Sequence, residues 1–186
     1  MLAAAALRGG ADILQLRQKL LGRGDLLALA RRLRALTRDA GALFVVNDHV
    51  DLAVLSQADG VHLGADDLSL AAARQIAGDR LLIGASASTP NAALAAIRSG
   101  ADYIGCGPAF ATPLKPQKVV IGPTRVAEVT SAVGPSVPVF AIGGIDATNI
   151  AQLTAAGVRR ACVVRAVGDA PDPAAATREL RAMLEA

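Results

Sequence analysis

Gln15, Arg17 and Lys19 alternate along the chain just after the aliphatic pair Ile13-Leu14, so on an extended strand their side chains point the same way. A guanidinium can grip an anion through two parallel hydrogen bonds and an ammonium adds a point charge, a combination that suits a diphosphate. A polar loop that merely follows a strand is the plainer account of the same residues. Asn47-Asp48 follows Leu43-Phe44-Val45-Val46, and Asp67 comes just after Val61-His62-Leu63-Gly64. A carboxylate at the end of an aliphatic run is costly to bury alone and should meet a cation or water. Two of them, with phosphate oxygens from a substrate, commonly hold Mg2+. Asp67 could instead cap the helix that follows, and Asp66 competes with it for the ligand role.

Other apolar runs end the same way. One closes on Ser86, and another leads to the irregular stretch Pro108–Pro116, which carries Thr112 and Lys115. Loops of that length in otherwise short-looped chains are usually functional, and Lys115 could close over an anion. Gly143-Gly144 after Val139-Phe140-Ala141-Ile142 leaves backbone N–H groups open at a helix entry. With Val164-Arg165 at the end of the last run, the pair matches the phosphate site of many parallel α/β barrels. His62, between Val61 and Leu63, reads as a core histidine, and His49 as a helix-start residue.

These endings come together only if the runs are parallel strands whose C-terminal ends share one mouth. The chain supports that through weak internal repetition. Gly10-Ala11-Asp12, Ala58-Asp59-Gly60 and Gly100-Ala101-Asp102 each precede an aliphatic run, and Gly157-Val158-Arg159 stands shortly before Cys162-Val163-Val164. Each reads as a helix stopping near glycine and passing straight into a buried strand, at the rhythm of βα units. Strands are expected near 12–17, 43–47, 60–64, 81–86, 102–107, 138–143 and 160–165. Between them, Leu26, Leu29, Leu33 and Leu36 form one apolar helical stripe that Asp25 can cap and Gly41 ends. Pro90 or Asn91 opens another helix, and Thr148-Asn149 a third. Candidates at every strand end favour a closed barrel over an open sheet with one switch point. The chain begins in what reads as the helix between an absent first strand and the second.

At 186 residues, 53% of them hydrophobic and 2% aromatic, the chain can fill one core of helices on a parallel sheet. Its uncharged stretch Val129–Ile145 is broken by Gly134, Pro135 and Pro138, so no membrane span is expected. The opening Met1–Leu7 lacks the basic start of a signal peptide, and a cytoplasmic protein is the expectation. Cys106 and Cys162 fall inside strands, as buried thiols of a reducing compartment would. A net charge of +3 with almost no aromatics gives no ground for nucleic-acid binding.

The set QLRQK at 15–19, ND at 47–48, GVHLGADD at 60–67, GADYIGCGP at 100–108, TPLKP at 112–116, AIGGI at 141–145 and VVRA at 163–166 resembles the thiamine phosphate synthases in order and spacing. The resemblance implies one domain over 1–186, a (β/α)8 TIM barrel here lacking its first strand. It implies a transferase that joins 4-amino-2-methyl-5-hydroxymethylpyrimidine diphosphate to hydroxyethylthiazole phosphate, releasing diphosphate. It further implies Asp48 and Asp67 as Mg2+ ligands, and Gln15, Arg17, Lys19, Asn47, Ser86 and Lys115 at the pyrimidine diphosphate. Of these, Arg17, Lys19, Ser86 and Lys115 would assist the chemistry. Thr112, Leu114, Gly143, Gly144, Val164 and Arg165 would hold the thiazole phosphate. The partners implied are small phosphorylated molecules, with neither nucleic acid nor membrane, and a homo-oligomer suits the fold.

Three positions depart from the family pattern: Ala65 stands where Gln is usual, Ser88 where His is usual, and Leu114 where a second Thr is usual. A sister branch, the thiazole tautomerases, needs the His near 88 and dispenses with the paired acids, the reverse of what this chain shows. A barrel that binds phosphates without turnover is the other alternative.

Overall fold

The computed structural model describes residues 2–113 and 116–186. The chain opens with α1 (Leu2–Arg8) and β1 (Ile13–Leu16), followed by α2 (Arg23–Asp39), β2 (Leu43–Asn47), α3 (Val50–Leu55) and β3 (Gly60–Leu63). Next come α4 (Leu70–Ala77) with a 3-10 turn at Gly78–Arg80, β4 (Leu82–Ser86), α5 (Pro90–Arg98) and β5 (Tyr103–Cys106). The chain continues through α6 (Gly122–Val133), β6 (Val139–Ile142), α7 (Ile150–Ala155), β7 (Ala161–Cys162), α8 (Arg165–Gly168) and α9 (Pro173–Glu185). The first six strands stand where the aliphatic runs predict them, while β7 is shorter than expected and ends at Cys162, which puts Val164 and Arg165 beyond it at the start of α8. No helix among the described residues is long and apolar enough to cross a membrane.

The strands form one parallel sheet in the order β1 through β7, and among the described residues β1 and β7 share no ladder. The expectation of a (β/α)8 barrel is therefore corrected: the fold is a half-barrel of seven strands with two free edges, α/β in class but not closed. Twist accumulates strand by strand, and here it sweeps an arc rather than a ring. Helices bridge the two edges on the outside, where α1 packs on both α9 and α2. That seam is tight. A Cβ on Gly9 would lie 2.5 Å from the Ala174 carbonyl oxygen, so only glycine lets the end of α1 approach α9.

One face of the sheet packs on the helices. Phe44, Val46, Val61, Leu63 and Ile83 bury against α2, α3 and α4, while Ile104, Cys106, Val139 and Ala141 pack with the later helices. Residues of the opposite phase line the concave face. There Asn47, His62, Gly84 and Tyr103 stand level across four strands. The Tyr103 ring lies over Gly84, where a Cβ would come within 2.0 Å of it, and the His62 ring lies over Gly105. His62 and Tyr103 have centroids 5.6 Å apart, and Phe140 meets Tyr103 edge-on at 5.8 Å.

Helix ends refine the expected caps. α2 starts at Gly22 with no side-chain cap, and Asp25 sits inside its first turn, where a negative charge favours the helix dipole. Thr89 and Ser69 cap α5 and α4 through their hydroxyls, and Asn149 occupies the cap position of α7.

The N-terminal ends of β2 and β4 share one device, and β1 has a simpler clamp. Asp59 accepts the Phe44 N–H at 2.7 Å while its own N–H donates to the Phe44 carbonyl, and Arg34 grips its carboxylate at 2.8 and 2.9 Å. Asp102 repeats this with Ile83 and Arg74, at 2.7 Å each. Asp12 is held at 2.7 Å by Arg181 of α9, which also binds the Gly10 carbonyl. The Arg34 and Asp59 side chains are only 19% and 24% exposed. Asp59→Ala strips a charged partner from a backbone N–H and a guanidinium, which should cost about 2–3 kcal/mol. In a domain of this size that lowers Tm by roughly 5–10 °C. A melt of Asp59→Ala within about 1 °C of wild type would contradict this account.

Candidate active site

All the sequence-derived candidates that lie among the described residues stand at the C-terminal ends of strands or in the loops that follow. The geometry is most definite at β2 and β3. Asp48 follows β2 with φ at +68°, outside the range most side chains accept, and the His49 N–H donates to the Asn47 carbonyl at 2.8 Å. That is the strained form of the three-residue γ-turn. The Asp48 N–H donates to the His62 carbonyl at 2.9 Å, so the ladder with β3 continues through the turn.

Asp67 folds back onto the loop after β3, where its Oδ2 accepts the Gly64 N–H at 2.7 Å. It does not cap the next helix: Ser69 does, its Oγ accepting the Ala72 N–H at 3.2 Å. The carboxyls of Asp48 and Asp67 meet within hydrogen-bonding reach. Partial burial, the hydrogen bond with Asp67 and its negative charge raise the Asp48 carboxyl above its usual range, against the opposing pull of Lys19 and His49. Two things follow. The acid pair converges as the sequence suggests, and Lys19 of the loop after β1 lies close enough to be felt there. Asp66 is exposed.

Arg17 and Lys19 are exposed, and Gln15 is half-buried on β1. Asn47 stands beside His62 on the neighbouring strand. Ser86 ends β4, its hydroxyl 3.0 Å from His62 Nε2. His62 thus backs a candidate site residue, a role its reading as a core histidine passes over. The signal was present in the strand's alternation: Val61 and Leu63 face the helices, so His62 must face the concave side.

The glycine pair does mechanical work between two loops. Gly143 and Gly144 have φ of +100° and +62°. A Cβ on Gly143 would fall 2.5 Å from Pro108, and one on Gly144 2.3 Å from the Ala111 carbonyl oxygen. Only glycines let the β6 turn nest against the loop that leads to half-buried Thr112. Val164 is exposed at the start of α8, and Arg165 turns along its own helix to Asp169 at 3.0 Å. Leu114 and Lys115 lie outside the described residues. Ala65 and Ser88 are exposed. Burial pushes the Cys106 thiol up to about 11, and the Cys162 thiol upward as well, so both are neutral, inert groups.

A family profile described as "Thiamine monophosphate synthase" matches residues 1–167. The chain is 47% identical over 181 residues to a thiamine-phosphate synthase of Methanoculleus marisnigri, covering 97% of this chain and 85% of the relative. It is 46% identical over 176 residues to the thiamine-phosphate synthase of Thermosynechococcus vestitus, covering 95% of this chain and spanning half of that relative's length. The thiamine phosphate pyrophosphorylase of Pyrococcus furiosus superposes with a TM-score of 0.90 at 38% identity, over 99% of this chain and 88% of that one.

Because the folded state raises the Asp48 carboxyl, it binds its proton more tightly than the unfolded chain does. In metal-free protein this group's contribution to stability therefore declines as pH rises through and above the unfolded value of about 4. Asp48→Asn removes the like charge and keeps a residue that tolerates positive φ. Metal-free Asp48→Asn should melt about 1–4 °C above wild type near neutral pH, lose that pH slope, and gain nothing from added Mg2+. Melting curves with and without Mg2+ check all three.

Proposed function

We propose that this chain, which belongs to the thiamine monophosphate synthase family, makes thiamine phosphate from 4-amino-2-methyl-5-hydroxymethylpyrimidine diphosphate and hydroxyethylthiazole phosphate. The observation that carries the reading is the meeting of Asp48 and Asp67 beside Lys19 at the mouth of the sheet. Two carboxylates forced together without a cation are unfavourable. Among the described residues no third acidic, histidine or cysteine side chain completes a protein-only cage. The pair therefore fits Mg2+, which takes few protein carboxylates and leaves positions for water and substrate phosphate. When bound, the ion would neutralise charge on the departing diphosphate.

The chain's own residues do the rest. Arg17 and Lys19, at the end of β1, face the leaving group and stabilise the charge it gains as the C–O bond breaks. Lys115, which lies outside the described residues, would add a third cation. Gln15 and Asn47 offer hydrogen bonds to the aminopyrimidine, and Ser86, backed by His62 at 3.0 Å, offers another. The electron-rich pyrimidine ring shares the positive charge left on its methylene carbon, and the thiazole nitrogen donates its electron pair to form the new C–N bond. The turn at Gly143-Gly144, Thr112 and the start of α8 at Val164-Arg165 hold the thiazole phosphate. No protein nucleophile is needed, so rate comes from positioning and charge stabilisation.

Incubated with both substrates and Mg2+, the protein should release one diphosphate for each thiamine phosphate formed. Lys19→Ala should lower kcat/KM by about 100- to 1,000-fold while leaving Tm within about 1 °C. No diphosphate release, under conditions where the Pyrococcus furiosus relative turns over, would overturn the assignment.

A further inference from the structure

Arg23 is an oddity that the site as described does not use. It is the first residue of the 17-residue helix α2, whose cap residue Gly22 provides no side-chain bond. A cation there stands at the positive end of the helix dipole, the wrong end for it. Its guanidinium instead reaches across to the next connection. There it pairs with the Asp51 carboxylate in the first turn of α3 and lies 3.3 Å from His49 Nδ1. A guanidinium can only donate, so His49 Nδ1 accepts from it only when that nitrogen carries no proton. Burial alone would raise the Asp51 carboxyl, but the hydrogen bond from Arg23 and backbone N–H groups outweigh it and hold it below its usual range.

The two residues that Arg23 grips belong to the C-terminal side of the strained turn. His49 supplies the N–H that closes it around Asp48, and Asp51 stands in the first turn of the helix behind it. On its other side, Arg23 ends the loop that carries Lys19, whose charge acts on Asp48. The pair is half-exposed, at 57% and 49%, so its worth to global stability is small. A residue in a sparsely populated backbone state persists only where its surroundings over-determine it.

We propose that Arg23 is a positioning residue: by binding Asp51 and His49 it ties the loop bearing Lys19 to the turn bearing Asp48, so that the acid pair and its neighbouring cation are held as one unit. Resting as it does on the reading of Asp48 and Asp67 as metal ligands, the role belongs to Arg23 with Asp51, not to either alone. Residues that orient metal ligands from behind typically govern affinity about 10- to 100-fold.

The test measures Mn2+ binding in the presence of inorganic diphosphate, by electron paramagnetic resonance, alongside melting curves. Wild type should bind and Asp48→Asn should not. Arg23→Ala should weaken binding by about tenfold with Tm within about 2 °C, since the helix loses an unfavourably placed charge. Asp51→Asn should match it, the double variant should be no worse than either single one, and Arg23→Lys should recover part of the loss. Wild-type affinity in Arg23→Ala, or losses that simply add in the double variant, would overturn the positioning role. Failure of wild type itself to bind would remove the metal reading instead, and the role with it.

Discussion

A parallel sheet leaves backbone N–H groups unpaired where its strands begin, and the fold is organised by how two aspartates deal with that. Asp59 and Asp102 lend their carboxylates to the first free N–H groups of β2 and β4, while their own N–H groups pair with those strands in the usual way. Each carboxylate is then balanced by an arginine from a helix, Arg34 or Arg74. Register follows from this. A slip of one residue would turn every concave side chain towards the helices, and it would also break a charged, reciprocal pair at the strand's start. β1 lacks a ladder on its outer edge, and there Arg181 of α9 holds Asp12 and Gly10 from outside the sheet. Each clamp sits at the end of the strand opposite to the chemistry, so stability and function are separated along the strand axis.

With register pinned at one end, the mouth at the other can hold arrangements that would not form alone. Asp48 occupies a backbone state that costs of order 1–3 kcal/mol for a non-glycine residue, and its carboxyl is pressed against that of Asp67. Lys19 and His49 offset part of the carboxyl repulsion, and a divalent cation would relieve more of it. A protein that kept these two features for stability would be working against itself. They are intelligible as a site prepared for a positively charged guest, and the exposed cations of the β1 loop suit the negatively charged group that would arrive with it.

Much of this was legible in the residues, and the exceptions have physical causes. The seven strands could be read because each is a short, mostly aliphatic run after a helix stop, at a glycine for six of them and at Gln57, also of positive φ, before β3. Parallel strand direction brings Asp48 and Asp67 to one mouth, but it leaves open whether Asp67 caps the next helix or Asp66 takes its place, and the bond from Gly64 N–H to Asp67 decides it. Closure is not legible, because residues report their local conformation and not whether the first and last strands meet; among the described residues β1 and β7 share no ladder. Asp25 looked like a cap because its type suits one, but the helix begins earlier, at Arg23, and makes it a first-turn charge instead. The repeated Ala-Asp step signals only the end of a helix. What it does not signal, at Asp59 and Asp102, is the carboxylate's bond to the neighbouring strand, which depends on a partner some 15–19 residues away.

The glycines of the sheet show why a chain so poor in aromatics places them where it does. Gly84 and Gly105 weaken their strands intrinsically, yet each makes room for a ring, Tyr103 on one and His62 on the other. With Phe140 these rings form a packed floor beneath the charged mouth. The Tyr103 hydroxyl has no hydrogen-bond partner among the described residues, and burial raises its phenol above the usual range, so it remains neutral. The orphaned hydroxyl is a cost of about 1–3 kcal/mol in stability. It falls on the concave face and not on the packed face, where the clamps and the aliphatic core have stability to spare.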